Sequence, residues 1–208
     1  MPNWCENILI IEPHANPEEQ NLVDEEIVDY LEGPYQPPFY IPEKERDFYK
    51  VSNTLDETGH LKPGHSLLSF HKILPISYKV LEAKNPEFDF GPIGIQEEPS
   101  HRWGTKWQPS NIDRYEDSGS LTPDSIKYVF STAWGPSLPV SQEISRLFPS
   151  ARVLHYYLEF GCMFGGYQVF EKGELVHEEI IPDNQADLRR FAIEHMEYDE
   201  DTFDDWDD

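Results

Sequence analysis

The chain has 208 residues, 38% of them hydrophobic, with a mean hydropathy of -0.63. It is long enough to bury a core, it has no apolar run that could cross a bilayer as a helix, and its two cysteines, Cys5 and Cys162, can neither build a disulfide framework nor ligate an iron–sulfur cluster by themselves. Forty acids against sixteen Lys and Arg give a net charge of -24, which disfavours direct binding to nucleic acid or an anionic membrane and favours basic partners.

The charge is concentrated at the two ends. Residues 1–43 hold ten acids and residues 191–208 hold nine, with no Lys or Arg in either stretch, while the middle of the chain is nearly balanced. The start has neither a basic nor an apolar leader-like region, so a cytoplasmic protein with reduced thiols is expected.

Ile8-Leu9-Ile10-Ile11 is apolar on both faces, the pattern of a strand in the middle of a sheet. Asn16-Pro17-Glu18-Glu19 then reads as a helix start, with Asn as the cap and Pro in the first turn, and Gly33-Pro34 as its stop. At 100° per residue this helix puts Val23, Ile27, Tyr30 and Leu31 on one side and Glu18, Glu25, Asp29 and Glu32 on the other.

Prolines and charge make 34–65 an irregular insertion, and 66–76 reads as a second strand. Residues 85–125 have loop composition but carry Trp103-Gly104-Thr105-Lys106-Trp107. A third strand, 126–134, alternates Ile126, Tyr128, Phe130, Thr132 and Trp134 on one face, and the aromatic fourth strand, 152–160, is expected beside it. Between them a helix over 139–148 has Val140, Ile144, Leu147 and Phe148 inward.

Gly161, Gly165 and Gly166 suggest a bulge or tight turn before a hairpin folded at Lys172-Gly173. Asp183 caps a last helix with Leu188, Phe191, Ala192 and Met196 inward, and eight acids crowd the twelve residues from Glu197. The order strand, helix, strand, strand, helix, strand is an α+β, ferredoxin-like split βαβ: an antiparallel sheet with two helices on one face, extended by a C-terminal hairpin and helix. A single domain over 1–196, with irregular insertions at about 34–65 and 85–125, is expected ahead of an acidic tail, 197–208.

Chemical motifs are sparse. There is no Walker loop, dinucleotide fingerprint, Gly-x-Ser-x-Gly, His-Glu-x-x-His or Cys-x-x-Cys, so no metal or cofactor is expected. His60 and His65 are the nearest approach to a ligand pair, and His71 and His155 read as strand histidines with satisfied rings. Trp4, Trp103, Lys106, Trp107, Trp134, Tyr157 and Glu159 could line a small-ligand pocket, although large aromatics also serve a core.

Pro2-Asn3-Trp4-Cys5-Glu6-Asn7, Phe70-His71-Lys72-Ile73-Leu74-Pro75, the Trp103–Trp107 segment, Thr132-Ala133-Trp134 and the series Tyr157, Glu159, Gly161, Phe164, Gly166 together resemble the YubB-type ferredoxin-like domain family of phages and conjugative plasmids. The resemblance covers roughly residues 1–170 and departs from the family pattern at Gln108, where that motif has an acid. It implies the fold and a mobile-element origin, and it brings no catalytic residues.

The expected function is therefore a non-enzymatic accessory protein, in the cytoplasm of a bacterial host, that inhibits a basic host protein by presenting acids where that protein expects phosphates. The acids assigned to this are Glu18, Glu25, Asp29 and Glu32 on the first helix, with Asp199, Glu200, Asp201, Asp204, Asp205, Trp206, Asp207 and Asp208 in the tail. The alternative is a module that sequesters a small ligand, for instance a nucleotide signal, at the tryptophans; a third reading is an enzyme without a recognisable motif.

Overall fold

In the computed structural model, which describes residues 3–13, 24–34, 65–75, 100–116 and 125–206, strand β1 (Trp4–Pro13) lies in the interior of a six-stranded antiparallel sheet. Its neighbours are β5 (Ile126–Ala133) and β6 (Ala151–Glu159), in register as Ile8↔Val129 and Ile8↔Tyr156. Beyond β5 is the edge strand β4 (Ser110–Glu116), and beyond β6 is the hairpin β7 (Phe164–Glu171) and β8 (Glu174–Ile181), giving the order β4-β5-β1-β6-β7-β8.

The connections make this ferredoxin-like. From β1 the chain passes through α1 (Asp24–Leu31) and eventually reaches β4, with β5 between the two strands. From β5 it passes through α3 (Leu138–Leu147) to β6, with β1 between. Two interleaved split βαβ units result. The strands beside β5 are thus β1 and β4; the aromatic β6, expected next to β5, is one strand further away, beyond β1.

The apolar run at β1 is explained by burial on both faces. Leu9 and Ile11 join α1, α3 and a short helix α2 (Phe70–Ile73) in one core, with Ile27, Leu31, Phe70, Trp103, Tyr128, Phe130, Val140, Ile144 and Val153. Ile8 and Ile10 point the other way, into a second core closed by α4 (Gln185–His195) and a 3-10 helix, Glu200–Trp206. The sheet is therefore sandwiched, with α4 and the 3-10 helix on the face opposite α1 and α3.

The second strand of the sheet is not where the sequence pattern put it. The described part of that stretch, residues 66–75, contributes only Ser66 to β3 (His65–Ser66), which pairs with β2 (Gly33–Pro34), followed by α2, where the Ser69 side chain accepts the Lys72 N–H at 3.3 Å. The Phe70/Ile73 spacing is that of one buried helical turn, so His71 is helical as well. The missing strand is β4, inside the segment read as loop. An edge strand with Ile112 as its buried apolar residue carries almost no hydrophobic signal.

Other boundaries shift in informative ways. Asn16-Pro17-Glu18-Glu19 lies outside the described residues. Trp134 leaves the β5 alternation by adopting a φ of 71°, so it does not share the inward face of Tyr128 and Phe130. The cap of α4 is Asn184, which accepts the Asp187 N–H at 2.9 Å, where Asp183 was expected.

Gly165 and Gly166 lie within β7, and the register shift falls instead between Val169 and Phe170 against β8. Gly166 is needed because a Cβ there would meet the Glu179 carbonyl oxygen at 2.3 Å and the Tyr157 hydroxyl at 2.9 Å. The Lys172-Gly173 turn is where the pattern placed it, with both residues at positive φ.

Candidate functional site

The residues singled out from the sequence separate into a buried set and a surface set. Trp103 is fully buried: its indole N–H donates to the Leu74 carbonyl at 2.7 Å and its ring packs edge-on against Phe70. Tyr157 is buried over Gly166. Glu159 is buried too, its carboxylate accepting the backbone N–H groups of Gly161 at 2.7 Å and Cys162 at 2.5 Å, which fixes the turn between β6 and β7. All three are buried among partners of the fold.

The remaining four come together at one end of the sheet. Trp4 and Trp134 are 44% and 49% exposed, among the most exposed large apolar side chains described. Trp107 lies 6.1 Å from Trp4, ring centre to ring centre, and the Lys106 ammonium sits 5.7 Å from the centre of the Trp134 ring. The group is rigidly held. Thr105 Oγ1 donates to the Ala133 carbonyl at 2.8 Å, Trp134 N–H donates to the Asn3 carbonyl at 2.9 Å, and Gly104 at φ 77° approaches Pro136 too closely to admit a Cβ. Arg102, exposed at the start of the same segment, was not singled out beforehand.

The acidic surfaces are less uniform than their composition. On α1, Asp29 is exposed, but Glu32 is ion-paired with Arg114. Glu18 lies outside the described residues, as do Asp207 and Asp208 and the side chains of Glu25, Asp204, Asp205 and Trp206. At the C-terminal end, Asp199, Glu200 and Asp201 are exposed on or beside the 3-10 helix. Phe203 is their anchor: it is 1% exposed, against Phe160 and Tyr198 at ring distances of 5.8 and 5.6 Å, with the Arg189 guanidinium 5.6 Å above its ring.

Tyr198 fixes the approach to this ridge. Its hydroxyl donates to Glu6, and burial followed by that carboxylate raises its pKa well above the ordinary tyrosine range. Glu197, one of the tail acids, neutralises the buried Lys127.

A hydroxyl–imidazole–amide row runs through the first core. Ser141 on α3 is 2.6 Å from His155 Nδ1, His155 Nε2 is 3.0 Å from Asn7 Oδ1, and Asn7 Nδ2 donates to Thr132 Oγ1 and the Cys5 carbonyl, both at 2.8 Å. Ser141, His155 and Asn7 are all 0% exposed, so the row has no access to a substrate. Burial lowers the His155 pKa to about 3 and raises the Cys5 thiol to about 12. His155 is thus neutral, with Nε2–H donating to Asn7 and Nδ1 accepting from Ser141, the satisfied strand histidine that the sequence suggested.

Among the described residues no group of three or more His, Cys, Asp or Glu side chains is placed to hold a metal, and no helix is long and apolar enough to cross a membrane. His60 lies outside the described residues.

Comparison with known proteins bears on the fold. No curated protein matches the chain. The crystal structure of a protein api92 from Yersinia pseudotuberculosis is similar, with a TM-score of 0.55 at 14% identity, covering 89% of this chain and 100% of that one. A family model described as the ferredoxin-like domain in Api92-like protein matches residues 102–204, so this chain carries a ferredoxin-like domain similar to that of Api92-like proteins.

Proposed function

We propose that this chain is a non-enzymatic accessory protein of a phage or conjugative plasmid that binds and inhibits a basic protein of its bacterial host, through carboxylates displayed where that partner would engage phosphates. The observation that carries this reading is the burial of Phe203. It holds the C-terminal acids against the sheet, so that Asp199, Glu200 and Asp201 stand exposed on a fixed ridge. Fixed charges complement a cationic surface at a smaller entropic cost than a loose tail. The weight of the interface therefore lies on the C-terminal ridge more than on α1, where Glu32 is engaged by Arg114.

The test is a pull-down from host lysate at low and moderate salt, with wild type beside a triple variant, Asp199→Asn, Glu200→Gln and Asp201→Asn. Capture of a basic protein by the wild type, its loss from the variant and its release by salt is the expected result. Capture that is indifferent to the three substitutions and to salt refutes the ridge as the interface.

A further inference from the structure

Five of the described basic side chains are held by carboxylates. Arg114 pairs with Glu32, Lys127 with Glu197, Arg146 with Glu143, Arg152 with Glu12 and Glu171, and Arg190 with Asp187. Lys106 and Arg102 have no carboxylate partner among the described residues: the Lys106 ammonium rests over the Trp134 ring, and Arg102 is exposed. In a chain with forty acids, the Lys106 ammonium over the half-exposed Trp134 ring sets a positive charge beside an accessible aromatic face.

The backbone is also unusual there. Trp134 sits at φ 71°, a conformation that L residues avoid, yet it is half exposed and contributes little to the core. A glycine would hold that turn more cheaply. An indole kept at this position, outside the hydrophobic core and next to an unpaired ammonium, is what a binding platform requires.

We propose that Trp4, Trp107 and Trp134, with Lys106 and Arg102, form a binding site for a free nucleotide. The base stacks on an exposed indole face, an interaction that tolerates any base because each has a π-face. The phosphate takes the place of the missing carboxylates at Lys106 and Arg102. The anchoring of the segment through Thr105 and Asn3 sets the rings in place before the ligand arrives, which limits the ordering cost of binding. A polymer is excluded by the same charge accounting: two cations match one phosphate group, while the net charge of -24 repels a chain of them. The variants that test this site differ from those that test the Asp199–Asp201 ridge, so either reading can fail without the other.

The indole N–H signals in a proton–nitrogen correlation spectrum of the full chain provide the test, with adenosine 5′-monophosphate as the probe. The signals of Trp4, Trp107 and Trp134 are expected to move with the nucleotide. That of Trp103, bonded to the Leu74 carbonyl inside the core, stays in place and reports that each variant is folded. Adenosine and ribose 5-phosphate, each lacking half of the ligand, bind more weakly than the nucleotide. Lys106→Gln weakens the nucleotide about tenfold, the loss expected for one charge-assisted hydrogen bond, and leaves adenosine unchanged. Trp4→Ala weakens both.

Three results would each overturn the proposal: no movement up to roughly 5 mM nucleotide, where a millimolar site is already more than half occupied; equal affinity in wild type and Lys106→Gln; or tighter binding of single-stranded decathymidylate than of the mononucleotide.

Discussion

Acidification acts on this fold through His155. The ring is 0% exposed and sits between Ser141 of α3 and Asn7 of β1, so it joins the helix to the middle of the sheet. Burial lowers its pKa from 6.5 to about 3. In the unfolded chain the ring takes up a proton near pH 6.5 and in the folded chain it does not, so its contribution to stability is complete above that pH and is lost as pH falls toward 3. Each tenfold change in proton affinity is worth ~1.4 kcal/mol, so the full loss approaches roughly 5 kcal/mol. That is comparable with the whole stability of many domains, about 5–15 kcal/mol.

The assay is urea unfolding of wild type and His155→Gln at several pH values from 7.5 down to 4.5. The carboxylates common to both chains cancel in the difference, which isolates the imidazole. At pH 7.5 the variant is the less stable, having exchanged a fitted ring for a looser amide. As pH falls below 6.5 the gap should close by up to ~1.4 kcal/mol per pH unit, and by about 2–3 kcal/mol at pH 4.5. Parallel stability curves for the two proteins would refute the reasoning, since they would mean that the ring is charged in the fold or reached by water.

Two further outcomes follow from packing and from backbone conformation. Phe203→Ala removes the anchor of the C-terminal ridge and should cost roughly 3 kcal/mol, the low end for a buried phenylalanine because a terminal segment can lift away; urea unfolding measures the loss, and faster amide exchange over Glu200–Trp206 reports the release. Trp134→Gly and Trp134→Ala both delete the indole, but only glycine accepts φ 71° freely, so the glycine variant should be the more stable by about 1 kcal/mol in chemical unfolding.

How far the fold could be read in advance depended on how much apolar surface each element buries. The run Ile8 to Ile11 announced a strand covered on both faces, and Val140 with Ile144 announced α3, because their burial leaves a periodic mark. β4 left almost none, since Ser110, Asn111, Asp113, Arg114 and Glu116 are polar and an edge strand needs little apolar burial beyond its backbone pairing. The short α2 was mistaken for a strand because one turn of helix is too brief to distinguish a spacing of three from one of two.

At the candidate sites, the sequence identified the indoles without their depth. Trp103 and Trp107 are separated by only three residues, yet one is in the core and the other on the rim, a division made by the Gly104 turn. Phe203 was hidden by its neighbours: an isolated aromatic among aspartates has no periodicity, and only the second core, open on the far side of the sheet, explains why it is there.

The position of β1 has a consequence for how the chain is made. Its bonding partners are distant in sequence: the Asn7 amide reaches Phe130 across 123 residues and His155 across 148. During translation the most apolar strand of the sheet therefore emerges first and waits for both neighbours, with Ile8 to Ile11 unpaired until β5 and then β6 have left the ribosome. Such a topology folds slowly and exposes a sticky segment meanwhile. The acids that follow it, from Glu12 through Glu32, put a dense negative charge next to that strand in the nascent chain and so discourage two unfinished copies from associating.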